Sequence, residues 1–250
     1  MRFYLLIIRK WSNMITIRIA ELNIGIKYRY EFTRRYVSAY ATDAEPDFTV
    51  EATDADLIAE AELAEEPTEN EYLEYVAVYR KIADKLTEYD GVVFHGAVLV
   101  LDGKAYIITA RSGVGKTMHI RLWLEKFGDK VYVLNGDKPV LREIDGKIYV
   151  SGTPWNGKEG YGRQGIAPLC GIAFLERGKE NSYTSVAPSS ALVRLMGQIY
   201  MNKEAPAALV RTLKLADKIL SKTPLYEFKC NMDISAAEMA ARAFCGNDAQ

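Results

Sequence analysis

An α/β fold with a mixed sheet, several antiparallel hairpins and flanking helices is predicted by three features of this 250-residue chain. Short apolar runs of strand length alternate with longer stretches in which apolar residues recur at helical spacing. Two Asp-Gly pairs, Asp102-Gly103 and Asp145-Gly146, each lie between apolar runs, a strong short-range hairpin signal. Over residues 105–127 an apolar run, a glycine-rich turn and an amphipathic stretch follow in the order strand, loop, helix. The main domain is expected over 91–250, behind a small α+β part at 14–90 and an N-terminal extension at 1–13.

Taken in order, Met14 opens a clean alternation through Ile15, Ile17 and Ile19, which is why residues 1–13 read as an extension from an upstream start codon. Strands are expected at Ile15–Ile19, Ile24–Tyr30, Tyr36–Tyr40 and Phe48–Ala52. Thr53 and Asp56 have the spacing of a capping box, with Asp in place of Glu, ahead of a helix over Ala55–Glu65 that Pro67 ends. Tyr72, Val76, Tyr79, Ile82 and Leu86 carry a second helix towards Tyr89. Hairpins then pair Ala97–Leu101 with Ala105–Thr109 and Val140–Glu143 with Lys147–Val150, with the short strand Val131–Leu134 between them. Five glycines between Gly152 and Gly165 exclude a regular element there. Strands Gly171–Glu176, Ser182–Val186 and Leu225–Lys229 follow, with helices Pro188–Met201 and Pro206–Ser221, both opening at proline, and Ser235–Phe244 at the end.

Composition excludes several function classes. The 32 basic and 33 acidic side chains nearly cancel, but 13 of the acids fall between Asp43 and Glu74, where there is no Lys or Arg. The rest of the chain carries 32 basic against 20 acidic side chains. A globally basic nucleic-acid binder is disfavoured, whereas a local site for a small anion is not. The acidic block reads as solvated helix surface. Three cysteines without a CxxC pair argue against a disulfide scaffold or a cysteine zinc site, and two histidines against a multi-histidine metal centre. The apolar run Phe3–Ile8 is far short of a bilayer span and lacks a cleavage signal. These features fit a cytoplasmic protein without a membrane partner.

The sharpest chemical signal is Ala110-Arg111-Ser112-Gly113-Val114-Gly115-Lys116-Thr117, a relaxed phosphate-binding loop with Ala110 in the first glycine position. Gly113 and Gly115 let successive N–H groups turn towards phosphate oxygens, and the following helix adds its positive end. Lys116 supplies a point charge for the β and γ phosphates and Thr117 a hydroxyl for Mg²⁺, and the nucleotide-binding set runs on to Met118. A magnesium–nucleotide site needs a carboxylate at the end of a neighbouring strand. Asp137, after Val131–Leu134, occupies that place. In the loop 152–165, Lys158 and Arg163 are candidate cations for the transferred phosphoryl group, with Arg163 the better bidentate partner. His119, on the helix behind the loop, reads as structural.

A loop strand that is one arm of a hairpin, followed by a second hairpin after the metal-ligand strand, departs from the common parallel-sheet families. Phe94-His95-Gly96-Ala97, the hairpin around Asp102-Gly103 and the loop Ala110–Thr117 resemble the catalytic domain of HPr kinase/phosphorylase, which shares its fold with the ATP-dependent phosphoenolpyruvate carboxykinases. The resemblance spans roughly Gly91 to Phe244, and Pro168–Ile172 looks like that family's strand after its mobile loop. It implies that Lys116 and Thr117 bind phosphate and Mg²⁺, that His95 lies near the phosphates, and that Asp137 matches the second of two paired aspartates. The first of that pair, which takes the proton of the acceptor serine, falls on Gly136.

The resemblance implies an ATP- and Mg²⁺-dependent kinase acting on a hydroxyl of a protein, a peptide or a small molecule, with Lys116, Asp137, His95 and Arg163 as its catalytic group. It also implies a homo-oligomer. The alternative is a nucleotide-binding switch or accessory module that transfers no phosphate, which Gly136 in the base position favours. Phosphoenolpyruvate carboxykinase activity ranks behind both, because those enzymes are about twice this size.

Overall fold

The computed structural model describes residues 13–202 and 204–246, and the extension expected at 1–13 lies almost wholly outside them. The protein is mixed α/β. It divides into two compact units, one of 13–18 with 22–82 and one of 19–21 with 83–246.

In the first unit, β1 (Asn13–Ile19), β2 (Leu22–Tyr28) and β3 (Phe48–Glu51) form a three-stranded sheet in that order, with β3 parallel to β2. The segment expected as a strand at Tyr36–Tyr40 is instead the end of helix α1 (Glu31–Val37) and a 3₁₀ turn, Ser38–Tyr40. Thr33 and Val37 are buried four residues apart, Glu31 lies in the first turn and Arg34 and Arg35 in the last, so burial and dipole both favour the helix. Helix α2 (Asp54–Leu63) begins at the expected capping box, with Thr53 accepting from Asp56 N–H and Asp56 accepting from Thr53 N–H. Helix α3 (Asn70–Leu86) follows.

The acidic block is less solvated than its sequence implies. Glu74 is buried and accepts from Arg29 N–H at 2.7 Å, Tyr30 N–H at 3.2 Å and the Thr33 hydroxyl at 2.7 Å. It thereby satisfies the N–H groups of Arg29 and of Tyr30, the N-cap of α1, and the hydroxyl of Thr33 in the first turn. Buried Glu60 pairs with Arg80 at 2.6 Å.

The second unit is built on a nine-stranded sheet whose main path runs β4 (Gly91–Val93), β8 (Val140–Ile144), β9 (Lys147–Ser151), β10 (Ile166–Arg177), β6 (Lys104–Thr109), β5 (Ala97–Leu101), β7 (Val131–Asn135). Strand β12 (Leu225–Cys230) pairs with β10, and β11 (Ser182–Ser185) with β12. Both Asp-Gly turns form with positive φ at each central residue, 51° and 73° at Asp102-Gly103 and 47° and 77° at Asp145-Gly146. Strand β10 starts five residues earlier than the apolar run suggests, because it serves two pairings: Ile166–Pro168 run antiparallel to β9, and Leu169–Phe174 run parallel to β6. Its last residues lie parallel to β12. The carboxyl ends of β6, β10 and β12 therefore share one edge of the sheet.

Helix α4 (Lys116–Phe127) covers one part of this sheet together with α7 (Ser235–Cys245), burying Ile120, Trp123 and the alanines of α7. A second core joins α5 (Pro188–Met196) and α6 (Pro206–Lys222) to the sheet through Ala191, Leu195, Leu215 and Ile219. Helix α5 stops at Met196 rather than Met201, because the chain turns at Gly197 and Ile199 bridges to Phe94. That turn brings Gln198 to the site below. Among the described residues no helix is long and apolar enough to cross a membrane.

Candidate functional site

The loop between β6 and α4 has the backbone its glycines predict. Gly113 has φ +76° and Gly115, the N-cap of α4, has φ +131°, conformations that side-chain-bearing residues rarely adopt. Lys116 is the first helical residue and Thr117 and Met118 complete the opening turn, so their N–H groups lie at the positive end of the helix. Arg177, at the end of β10, donates to the carbonyls of Gly113 at 2.7 Å and Val114 at 3.2 Å and fixes the loop from outside. No sequence signal marked this residue, because its partners are backbone atoms 63 and 64 positions away.

Asp137 reaches the same edge of the sheet, but not from a strand adjacent to β6: β5 lies between β6 and β7, antiparallel to both. Asn135, fully buried at the end of β7, sets its position. The Asn135 carboxamide oxygen accepts from the N–H groups of Asp137 at 2.8 Å and Lys138 at 2.7 Å, while its nitrogen donates to Thr153. An Asn two residues before the carboxylate is the one trace of this arrangement in the sequence.

Four predicted groups meet in a cavity of about 440 Å³ lined by His95, Lys116, Thr117 and Asp137 together with Ser112, Gly113 and Gly115. His95 Nε2 stands 3.3 Å from Asp137 Oδ1 and 3.3 Å from Lys116 Nζ. Lys116 Nζ also donates to the Ala110 carbonyl at 3.1 Å. Burial pushes the Lys116 ammonium below its ordinary range, with Lys138 adding to the effect and Asp137 opposing it. Burial alone would raise Asp137, but its bond to His95 and the charges of Lys138, His95 and Lys116 outweigh this and hold the carboxyl below its usual range. The other ring nitrogen of His95, Nδ1, faces Gln198 Oε1 at 3.2 Å, and Thr109 Oγ1 lies 2.7 Å from the His95 carbonyl and 2.9 Å from Gln198 Oε1. Gln198 and Thr109 were not singled out in the sequence, and neither belongs to a motif there.

The glycine-rich segment closes one side of this cavity. Gly136 N–H donates to the Tyr161 carbonyl at 2.9 Å, Arg163 N–H to Leu134 at 3.1 Å and Gly152 N–H to Gly165 at 3.0 Å. Lys158, Glu159, Asn156 and Tyr161 line the cavity. Arg163 does not: its guanidinium stacks on the Tyr132 ring at 4.2 Å, because the backbone bonds beside it turn the side chain outward. Of the two candidate cations in this segment, Lys158 lines the cavity and Arg163 does not.

Gly136 is where the close approach occurs. A Cβ there would lie 2.7 Å from the Asn156 carbonyl oxygen and 3.2 Å from that of Tyr161. Both are backbone atoms and cannot rotate away. Gly136→Asp is therefore expected to force residues 152–165 off the site and to destabilise the protein by about 1–3 kcal/mol. Thermal melting and limited proteolysis check this, and an unchanged melting temperature with no new cleavage in 152–165 would contradict it.

His119, buried in the first turns of α4, accepts from Trp123 Nε1 at 3.1 Å through Nε2, so the neutral ring carries its proton on Nδ1. Burial pushes its pKa from 6.5 down to about 4. Between those values the unfolded chain binds a proton that the folded chain does not, so stability falls as pH falls through that window, by up to about 3 kcal/mol. Urea midpoints at pH 7 and 4.5 should show this loss, and His119→Gln should flatten it while lowering the value at pH 7.

Among the described residues no cluster of three or more His, Cys, Asp or Glu side chains could hold a metal. Side-chain oxygens on the cavity wall come from Ser112, Thr117, Asp137, Asn156, Glu159 and Tyr161, and they include both residues that the sequence marks for Mg²⁺, Thr117 and Asp137. No protein-family model matches the chain, and no curated protein does. Among solved structures it is similar to the Hpr(Ser) kinase/phosphatase from Coxiella burnetii, at 12% identity over 49% of this chain and 87% of that one, with a TM-score of 0.28. So loose a superposition carries no argument about activity, and the functional reading rests on the residues themselves.

Proposed function

We propose that the protein is an ATP- and Mg²⁺-dependent phosphotransferase of the HPr kinase-like group, with 110–118 as its phosphate-binding loop. The observation that carries this reading is the convergence of His95, Lys116 and Asp137 at 3.3 Å beside a loop whose two glycines hold positive φ. The N–H groups from Gly113 to Met118 bind the phosphate oxygens, and Lys116 places its charge at the β–γ end. A Mg²⁺ shared with the nucleotide needs only one or two protein oxygens, which Thr117 and Asp137 provide. When bound, it neutralises charge developing on the transferred group.

Gly136 leaves the usual base position without a side chain. If Nδ1–H is donated to Gln198 Oε1, the neutral His95 ring offers the lone pair of Nε2 to Lys116 or to an acceptor hydroxyl, and the Nε2–H gained on protonation is the donor that Asp137 Oδ1 accepts. His95 is then the group to take the acceptor hydroxyl's proton, and Asp137 3.3 Å away stabilises the imidazolium that results. Lys158, in the glycine-rich segment, lines the same cavity and is a cation for the phosphoryl oxygens. Incubation with Mg²⁺ and γ-labelled ATP across a host lysate tests the proposal. A labelled acceptor whose formation needs His95 supports it, and nucleotide binding with no label transferred to any acceptor would sink it.

The second reading is a nucleotide-dependent switch without phosphoryl transfer. It is favoured by the packing at Gly136, where the segment 152–165 fills the space a catalytic carboxylate would need. Nucleotide-dependent partner capture without turnover separates it from the kinase.

A further inference from the structure

The first unit carries a surface that the phosphate loop leaves unused. Phe32 and Tyr36 on α1 and Tyr72 and Tyr75 on α3 form one aromatic cluster. Phe32 is its hub, with ring centroids 4.5 Å from Tyr36, 6.1 Å from Tyr72 and 5.8 Å from Tyr75. Tyr75 also lies 5.2 Å from Tyr36 and 6.0 Å from Tyr72. Tyr75 is buried, but Tyr36 is 52% exposed and Tyr72 48%. Exposed apolar side chains scattered singly are ordinary, whereas exposed rings packed into one patch mark a surface that binds. The charge around this patch is one-sided. Elsewhere in the acidic block Glu51 pairs with Lys27, Asp54 with Arg29, Asp56 with Lys81 and Glu60 with Arg80. Glu65, Glu66, Glu69 and Glu71, all within seven positions before Tyr72, are exposed, and none of their carboxylates has a partner among the described residues. The Glu69 carbonyl accepts from Tyr72 N–H at 3.0 Å, so Glu69 and Glu71 belong to the turn that presents the ring. On α1, Arg34 is paired with Glu31 at 2.6 Å, which leaves Arg35 as the exposed cation beside Tyr36.

We infer that this surface docks a basic segment of a partner protein, one in which Arg or Lys side chains alternate with apolar ones. The apolar side chains cover the exposed rings, a guanidinium or ammonium lies on a tyrosine face, and the neighbouring cations meet the free carboxylates. Tyrosine suits the task because it offers a rigid apolar face and a polar tip that stays in water. Charge selects this occupant over the others. Nucleic acid is repelled by the same carboxylates. A second copy of the chain is disfavoured because a two-fold contact sets a patch against itself, which brings the four unpaired carboxylates of each copy together. The inference does not rest on the phosphate-loop reading, and its test needs no nucleotide.

The probe is a fluorescein-labelled peptide of three Arg-Leu-Arg repeats, titrated against the full chain and followed by anisotropy. It should bind, and the same peptide with Glu in place of Arg should not. Tyr72→Ser and Tyr36→Ser should each weaken binding about five- to tenfold. Both should melt close to wild type, because the rings they remove are half exposed. Glu69→Gln combined with Glu71→Gln should weaken binding by a similar factor at low salt and by less at about 0.5 M salt, which screens exposed charges. No binding of the basic peptide would overturn the inference. So would an affinity that both tyrosine variants keep, since the peptide would then be held by the charge of the acidic block alone. Binding that appears only when Arg9→Ser and Lys10→Ser are combined would overturn the partner in favour of residues 1–12 of the chain itself, which carry Arg2, Arg9 and Lys10. Self-association that excludes the peptide and is lost in Tyr72→Ser would overturn it in favour of a second copy.

Discussion

Replacing Lys116 by alanine is expected to abolish the rise in melting temperature that Mg²⁺–ATP gives the wild-type protein. The ammonium is half-buried between His95 Nε2 and the Ala110 carbonyl, and desolvation already lowers its pKa. A triphosphate in the loop would supply the anionic partner that offsets this. Hydrogen bonds to charged groups contribute about 1.5–3 kcal/mol each, so losing one or two weakens binding by about one to four powers of ten. Ligand stabilisation scales as the logarithm of one plus ligand over Kd, and at a concentration a hundred times the wild-type Kd a thousandfold loss removes nearly all of the roughly 2.7 kcal/mol gained. The variant without ligand should melt within a few degrees of wild type, since its backbone contacts remain and an alanine suits the first turn of a helix. A scan of ATP concentration by differential scanning fluorimetry checks both expectations. An undiminished shift in the variant would remove the loop from the site.

How much of this was legible in the sequence depended on the range of the interactions involved. Both Asp-Gly hairpins, the capping box at Thr53 and Asp56 and the strand–loop–helix order around Lys116 are local patterns, and all form where the spacing placed them. Tyr36–Tyr40 misled because a five-residue alternation is too short to outweigh the burial of Thr33 with Val37. The site itself was half legible. Lys116, Thr117, Asp137 and His95 carry motif signals and do line one cavity. Gln198, Thr109 and Arg177 hold those residues through contacts that span 14 to 103 positions, and nothing local distinguishes them from any other glutamine, threonine or arginine, whereas Asn135 left one local trace, its place two residues before Asp137. Arg163 lies outside that cavity for the opposite reason. Its residue type suited the chemistry, but the backbone bonds of its neighbours direct it to Tyr132.

Asp137→Asn should separate metal-dependent turnover from nucleotide binding. The two side chains have nearly the same shape, and the N–H groups of Asp137 and Lys138 would still be held by Asn135 Oδ1 at 2.8 and 2.7 Å. What disappears is the charge. In the wild type that charge faces His95 at 3.3 Å and Lys138 at 3.7 Å, and the depressed pKa keeps it ionised at neutral pH. If Asp137 holds the metal and stabilises the protonated His95, its neutral replacement loses several kcal/mol of transition-state stabilisation, a fall in turnover on the order of a thousandfold. Metal-free nucleotide binding should persist or tighten, because one anion is removed from beside the phosphates. Calorimetric titrations with and without Mg²⁺, alongside turnover with a labelled acceptor, read the two effects separately. A variant that keeps its metal dependence would take Asp137 out of the metal site. One that loses metal-free and metal-dependent binding equally would make the carboxylate a determinant of the loop's shape, since chemistry alone cannot weaken a complex that forms without the metal.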